Sequence, residues 1–172
     1  MKELDKMFQL AKDIKYIFVE NKDTLNDLGF PFFYSFPQNG CQSASVFLAI
    51  YFSQIFAEVD VYVVHGKTRG DEDCHHYWVE VNSKVYDITL DQFYPLLKDE
   101  YDGLEFPIYS GNKHPLSMYF FYKEREDITT AFSTYINKCA NLNEVMNAFY
   151  FCYYELRKIG WFPDFFIKKD LM

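Results

Sequence analysis

Two short runs of strand-forming residues, His75 to Val81 and Lys84 to Leu90, stand on either side of Asn82-Ser83. Two such runs joined by two turn-forming residues predict an antiparallel hairpin. Side chains alternate between faces along each strand, so the register decides which of them meet. With Val81 opposite Lys84, Trp78 faces Asp87 and His76 faces Thr89. Asp87 is then a diagonal neighbour of His76 on the same face, within hydrogen-bonding reach. A shift of one residue would bring His75 to that face instead.

Around the hairpin the periodicity changes. Leu4, Met7, Phe8, Ala11, Ile14 and Ile17-Phe18 recur at three- and four-residue spacing, which predicts a helix over 2–20. A short helical piece over 22–28 stops near Gly29, and Pro31 and Pro37 bracket an extended aromatic segment, 32–36. Asn39-Gly40 turns into a buried helix over 41–58, with Ala44, Phe47, Leu48, Tyr51 and Ile55 inward. A β-branched strand covers 59–65, and a polar loop, 66–73, leads to the hairpin. Two helices, 126–139 and 142–159, follow, the second ended by Gly160 and kept from continuing by Pro163. Helices, a strand-rich middle and helices again define an α+β chain rather than an alternating α/β one.

At 172 residues the chain reads as a single domain, 1–172, large enough to bury a core without staples. The aromatic content of 21%, carried by 19 Phe and 15 Tyr, argues against disorder. The balance of 17 basic against 25 acidic residues, a net charge of −8, repels phosphate backbones and anionic membranes. Neither nucleic acid nor a membrane is therefore expected as a partner. The first residues hold no apolar signal region, and the longest apolar run, Val46 to Phe52, is too short to span a bilayer. The expected location is the cytoplasm, or a destination reached without a cleaved signal. Cys41, Cys74, Cys139 and Cys152 show no CxxC spacing, and disulfides are not expected.

Three places carry candidate chemistry. Cys41 opens the predicted buried helix, where the dipole and unpaired N–H groups favour a thiolate and can hold an oxyanion. The bland alternative is a small residue starting a core helix. His76 is either the base for that thiol or a structural histidine on a strand. Asp87 is the first candidate to orient His76, and Asp91, farther along the same face, is the second. Gln38 is either an oxyanion donor or a loop residue in water, and Trp78 either walls the site or fills core. His65 and His114 have no nameable partner and read as structural; Cys139 and Cys152 fall inside apolar helical patterns and read as core.

The run Asp71-Glu72-Asp73-Cys74-His75-His76 invites a metal reading. Successive strand residues point in opposite directions, so Cys74, His75 and His76 do not converge on one ion, and no second ligand pair stands at zinc spacing. No metal or cofactor is expected.

Gly40-Cys41 opening an apolar helix, His76-x-Trp78-x-Glu80-Val81 on a strand and Asp87 on the next strand resemble the transglutaminase-like branch of the papain-like cysteine protease superfamily. The resemblance covers residues 38–91, about a third of the chain. It implies Cys41 as nucleophile, His76 as general base and acid and Asp87 as orienter, on a helix packed against a small antiparallel sheet. It also implies action on amide or peptide bonds of a protein or peptide substrate, as a peptidase, amidase, glutamine deamidase or cross-linker. The alternative is an inactive or non-enzymatic module of similar fold that binds proteins through its Tyr and Phe residues.

Overall fold

The computed structural model describes residues 3–56, 58–69, 74–97 and 108–162. Helix α1 (Glu3–Glu20) and the short α2 (Lys22–Asp27) lead to α3 (Cys41–Ile55). Strands β1 (Val61–Lys67), β2 (His75–Val81) and β3 (Lys84–Asp87) follow, then α4 (Tyr94–Leu97), β4 (Tyr109–Gly111) and β5 (Tyr122–Asp127). Helices α5 (Ile128–Cys139) and α6 (Leu142–Lys158) complete the described chain. The α+β class expected from the sequence is the one observed. Among the described residues no helix is long and apolar enough to cross a membrane.

The five strands form one antiparallel sheet in the order β4-β3-β2-β1-β5. The β2–β3 hairpin has the expected register, Val81 opposite Lys84 and Val79 opposite Tyr86. Asn82 and Ser83 both take positive φ, 47° and 66°, the conformation that matches a two-residue turn to strand twist. The Asn82 side chain adds a second use, accepting the Asp60 N–H at 3.0 Å.

Both faces of the sheet are covered. Val61, Val63, Val79, Val81 and Tyr86 join the main core with α1, α3 and α6. Val64, Trp78 and Val85 belong to a second cluster with Leu90, Leu97, Leu116 and Phe120. Helix α3 is apolar nearly all round and accordingly buried, from Cys41 through Phe52. Much of the aromatic excess goes into fixing its N-terminus. Phe30 stacks on Phe33 at 4.2 Å and on Phe47 of α3 at 4.4 Å, and Phe33 stacks on Phe36 at 5.0 Å. This ladder clamps the segment before Cys41 between α1 and α3.

Several expected boundaries shift for identifiable reasons. The 32–36 segment is not extended: Ser35 Oγ donates to the carbonyls of Phe32 and Gln38, and Phe33–Ser35 coils into a 3₁₀ turn. Helix α3 stops at Ile55, where Phe56 turns extended, and Glu58 takes a positive φ, so β1 starts only at Val61. Gly66 and Lys67, expected in a loop, extend that strand. The second hairpin strand ends at Asp87, because its carboxylate accepts the Thr89 N–H and curls the chain into the 3₁₀ turn Leu90–Phe93. Residue 126 lies in β5, and α5 begins only after Asp127, whose carboxylate caps it through Thr130 N–H at 2.9 Å. Cys139 is exposed, not core, with its thiol 3.4 Å from Gln42 Oε1; Cys152 is buried. Residues 70–73 of the polar loop and Pro163 lie outside the described residues.

Candidate functional site

Alternation along β2 sends His76 and Trp78 into the second cluster while His75 is exposed. The hairpin register, continued one step, sets Asp87 opposite Trp78 and diagonal to His76. The two side chains meet: His76 Nε2 lies 2.6 Å from Asp87 Oδ2, and both side chains are fully enclosed.

The carboxylate is saturated. Thr89 donates its N–H and its hydroxyl to Oδ1 at 2.8 and 3.2 Å. His114 Nε2 reaches Oδ2 at 2.9 Å. An ionised carboxylate only accepts, so both imidazoles present N–H groups to it. Burial alone would push Asp87 up. The charge of His76 and the hydrogen bonds from His114 and His76 outweigh it, holding this carboxyl far below the usual range.

Burial pulls His76 down, but the Asp87 charge and hydrogen bond, with a further contribution from the Cys41 thiol, raise it to about 10. With Nε2 committed to Asp87, Nδ1 is the remaining ring nitrogen. Among the described residues Nδ1 is buried and makes no aligned hydrogen bond. The ring is enclosed by Phe93 at 4.7 Å and Phe120 at 5.5 Å, with Trp78 alongside.

Cys41 is the first residue of α3 and is 8% exposed. Gly40 precedes it and offers no side-chain cap. At φ −91° that position does not require glycine for its backbone. What glycine supplies is room, because a Cβ there would lie 2.9 Å from the Phe36 ring. Gln38 is exposed in the turn, its backbone N–H bonded to Ser35 O at 2.8 Å. Trp78 is buried and stacks on His114 at 4.3 Å, so it walls the cluster and fills core at once.

Asp91 does not orient His76. Its Oδ2 pairs with the buried Lys15 ammonium of α1 at 2.9 Å. His114 is not a histidine without a partner, since it bonds Asp87 and accepts the Leu116 N–H on Nδ1 at 3.1 Å. Nor is His65, whose Nε2 lies 2.8 Å from His75 Nδ1 and whose ring stacks on Tyr77 at 4.2 Å. Gln92, unmarked in the sequence, links the two halves of the site. Its Nε2 donates to Thr89 O at 3.1 Å, and its Oε1 accepts the Asn39 N–H at 3.2 Å.

His76, Asp87 and His114 each bring one ligand atom within 4.8 Å of the others, a donor set that divalent transition metals accept. The hydrogen bonds use the same atoms differently. All four lone-pair directions of Asp87 already face N–H or O–H donors, and the two imidazoles converge on one oxygen rather than around a common centre.

No protein-family model, no curated protein and no solved structure matches this chain.

Proposed function

We propose that the protein is a cysteine-dependent acyl-transfer enzyme acting on amide or peptide bonds, with Cys41 as nucleophile, His76 as acid and base and Asp87 as orienter. We read the fold as a papain-like one of the transglutaminase-like branch, with a protein or peptide as substrate. The observation that carries this reading is the division of the His76 ring. One nitrogen is held by a buried, ionised carboxylate; the other is buried too, and the Cys41 thiol is among the groups that raise the ring.

In this mechanism the thiol proton of Cys41 already rests on His76 Nδ1, because that ring is raised to about 10, and the Cys41 sulfur attacks the substrate carbonyl. The first-turn N–H groups of α3 face the developing oxyanion. His76 returns the proton to the leaving amine, and a thioester remains. Water or a second amine resolves it, giving hydrolysis or deamidation in the first case and a cross-link in the second.

The test is mass spectrometry of candidate polypeptides incubated with the protein and with Cys41→Ala. Cleavage, conversion of a glutamine amide to the acid, or a cross-link seen only with Cys41 supports the reading. Labelling of Cys41 by iodoacetamide only after denaturation overturns it, because an inert buried thiol is no nucleophile.

A second reading, a protein-interaction module, draws on the exposed aromatic side chains next to the site. Tyr94, Tyr119 and Phe121 are exposed sequence neighbours of Phe93 and Phe120, whose rings enclose His76. A native Cys41 that stays unlabelled, in a chain that retains a polypeptide on this surface, is the outcome that favours it.

A further inference from the structure

Two imidazoles share one carboxylate oxygen in this site, and they do so unequally. His76 Nε2 approaches Asp87 Oδ2 to 2.6 Å and His114 Nε2 to 2.9 Å. The protonation of His114 is fixed locally. Its Nδ1 accepts the Leu116 N–H at 3.1 Å, so the single proton of a neutral ring sits on Nε2, aimed at Asp87. Burial also disfavours charge on this ring. The ring cannot swing away, since Trp78 stacks on one face at 4.3 Å and Phe120 meets it edge-on at 6.0 Å.

We propose that His114 is a positioning residue of this site, a neutral second imidazole that clamps Asp87 Oδ2 and limits how much of that oxygen's charge reaches His76. The catalytic meaning of this role rests on the Cys41–His76 reading above; the geometry does not. Oδ1 is already held by Thr89, so the carboxylate keeps its orientation through two donors on one oxygen and two on the other. A neutral N–H on Oδ2 disperses its negative charge, which weakens its pull on the His76 proton. Without that donor the same oxygen becomes more basic toward His76. A histidine serving only to fill space beside Trp78 would have no such effect.

The other charged or titratable groups facing the pair are few among the described residues. Cys41 acts on His76, Lys15 of α1 with its partner Asp91 reaches Asp87, and Lys123 of β5 reaches His114. None of them shares Oδ2, so substitution at 114 isolates the clamp.

The experiment is an NMR titration of the His76 ring protons between pH 6 and 11 in the intact chain, its His114→Leu variant and its His114→Gln variant. Leu fills the space without a donor; Gln places an amide N–H about where Nε2 stood. The expected result is a His76 midpoint raised by about half a unit or more in His114→Leu and returned toward the parent value in His114→Gln. If His114→Leu does not fold, His114→Asn replaces it, because its shorter amide does not reach Oδ2. A folded donor-less variant whose His76 midpoint is unchanged or lowered overturns the proposal. The underlying reading is checked separately, by iodoacetamide labelling of Cys41 in the native parent and in His76→Ala. Labelling indifferent to His76 overturns the Cys41–His76 pair while leaving the clamp intact.

Discussion

Lys15 on α1 and Asp91 in the 3₁₀ turn after β3 form a partly buried ion pair, Nζ to Oδ2 2.9 Å, across 76 residues of sequence. The lysine side chain is 7% exposed and the carboxylate 24%, so neither is well hydrated. The pair ties the helix that backs the main core to the turn that carries Gln92 and Phe93 into the site. Burial lowers the lysine and raises the aspartate, and each partner opposes that trend in the other.

Removing one partner leaves the other charged and poorly hydrated. Lys15→Met is expected to cost about 3 kcal/mol in urea unfolding, while Lys15→Met with Asp91→Leu recovers most of it. Additive single-variant costs in the double variant would show that the pair is not coupled.

Asp87→Asn is expected to damage both fold and site. An amide has one accepting end, so either the Thr89 pair or the two imidazole N–H groups would meet another donor. Unsatisfied buried donors of this kind cost about 1–3 kcal/mol. Loss of the charge also removes the main opposition to burial at His76, so its pKa falls well below about 10. Iodoacetamide labelling of Cys41 at pH 7 should then slow by roughly 10²-fold, the scale of an acid–base contribution. Labelling at the parent rate in folded Asp87→Asn protein would remove Asp87 from the mechanism.

The same groups set how stability varies with pH. His76 is raised from 6.5 to about 10, so the native protein keeps a proton that the unfolded chain releases. Its stabilising contribution is complete below pH 6.5 and is lost as the pH rises toward about 10. Asp87 is depressed, so its contribution is complete above the ordinary carboxyl value of 3.8 and is lost as the pH falls below it. Burial lowers His65 to about 4 and also lowers His114, so both are native in the neutral form and cost stability as the pH falls below 6.5. The urea midpoint should therefore peak near pH 6.5 and decline on both sides. His76→Gln should flatten the alkaline side, and an alkaline slope that survives this substitution assigns it elsewhere.

The hairpin and the His76–Asp87 meeting were legible because parity is a local rule. Once Asn82-Ser83 sets the turn, the faces of both strands follow. Cys41 was legible as a helix start for the same reason, since Asn39-Gly40 and the apolar run are adjacent in sequence. His114 was not, because it reaches Asp87 from 27 residues away, in the turns after β4, where no periodicity places it. Strand β5 escaped too: Tyr122-Lys-Glu-Arg-Glu-Asp127 carries charge instead of alternation, as suits an exposed sheet edge. Asp91 shares His76's parity but not its neighbourhood, because the Asp87–Thr89 turn breaks the strand before parity can act.

Gly66 offers a test of how tightly the histidine's walls are packed. It sits in β1 opposite His76, in the row facing Trp78 and Phe120. A Cβ built there would lie 2.7 Å from Trp78 Cζ3 and 2.8 Å from Phe120 Cβ, distances real side chains do not tolerate. The rings have little freedom to retreat, since Trp78 is stacked on His114 and Phe120 packs against both His76 and Phe93. Gly66→Ala should therefore cost about 1–3 kcal/mol through overpacking rather than backbone strain. It should also displace Phe120 from the His76 ring, which moves the His76 ring-proton chemical shifts in NMR spectra of the folded variant. A variant with parent stability and unmoved His76 shifts would mean that this wall yields freely, and that the enclosure of His76 is not set by packing against β1.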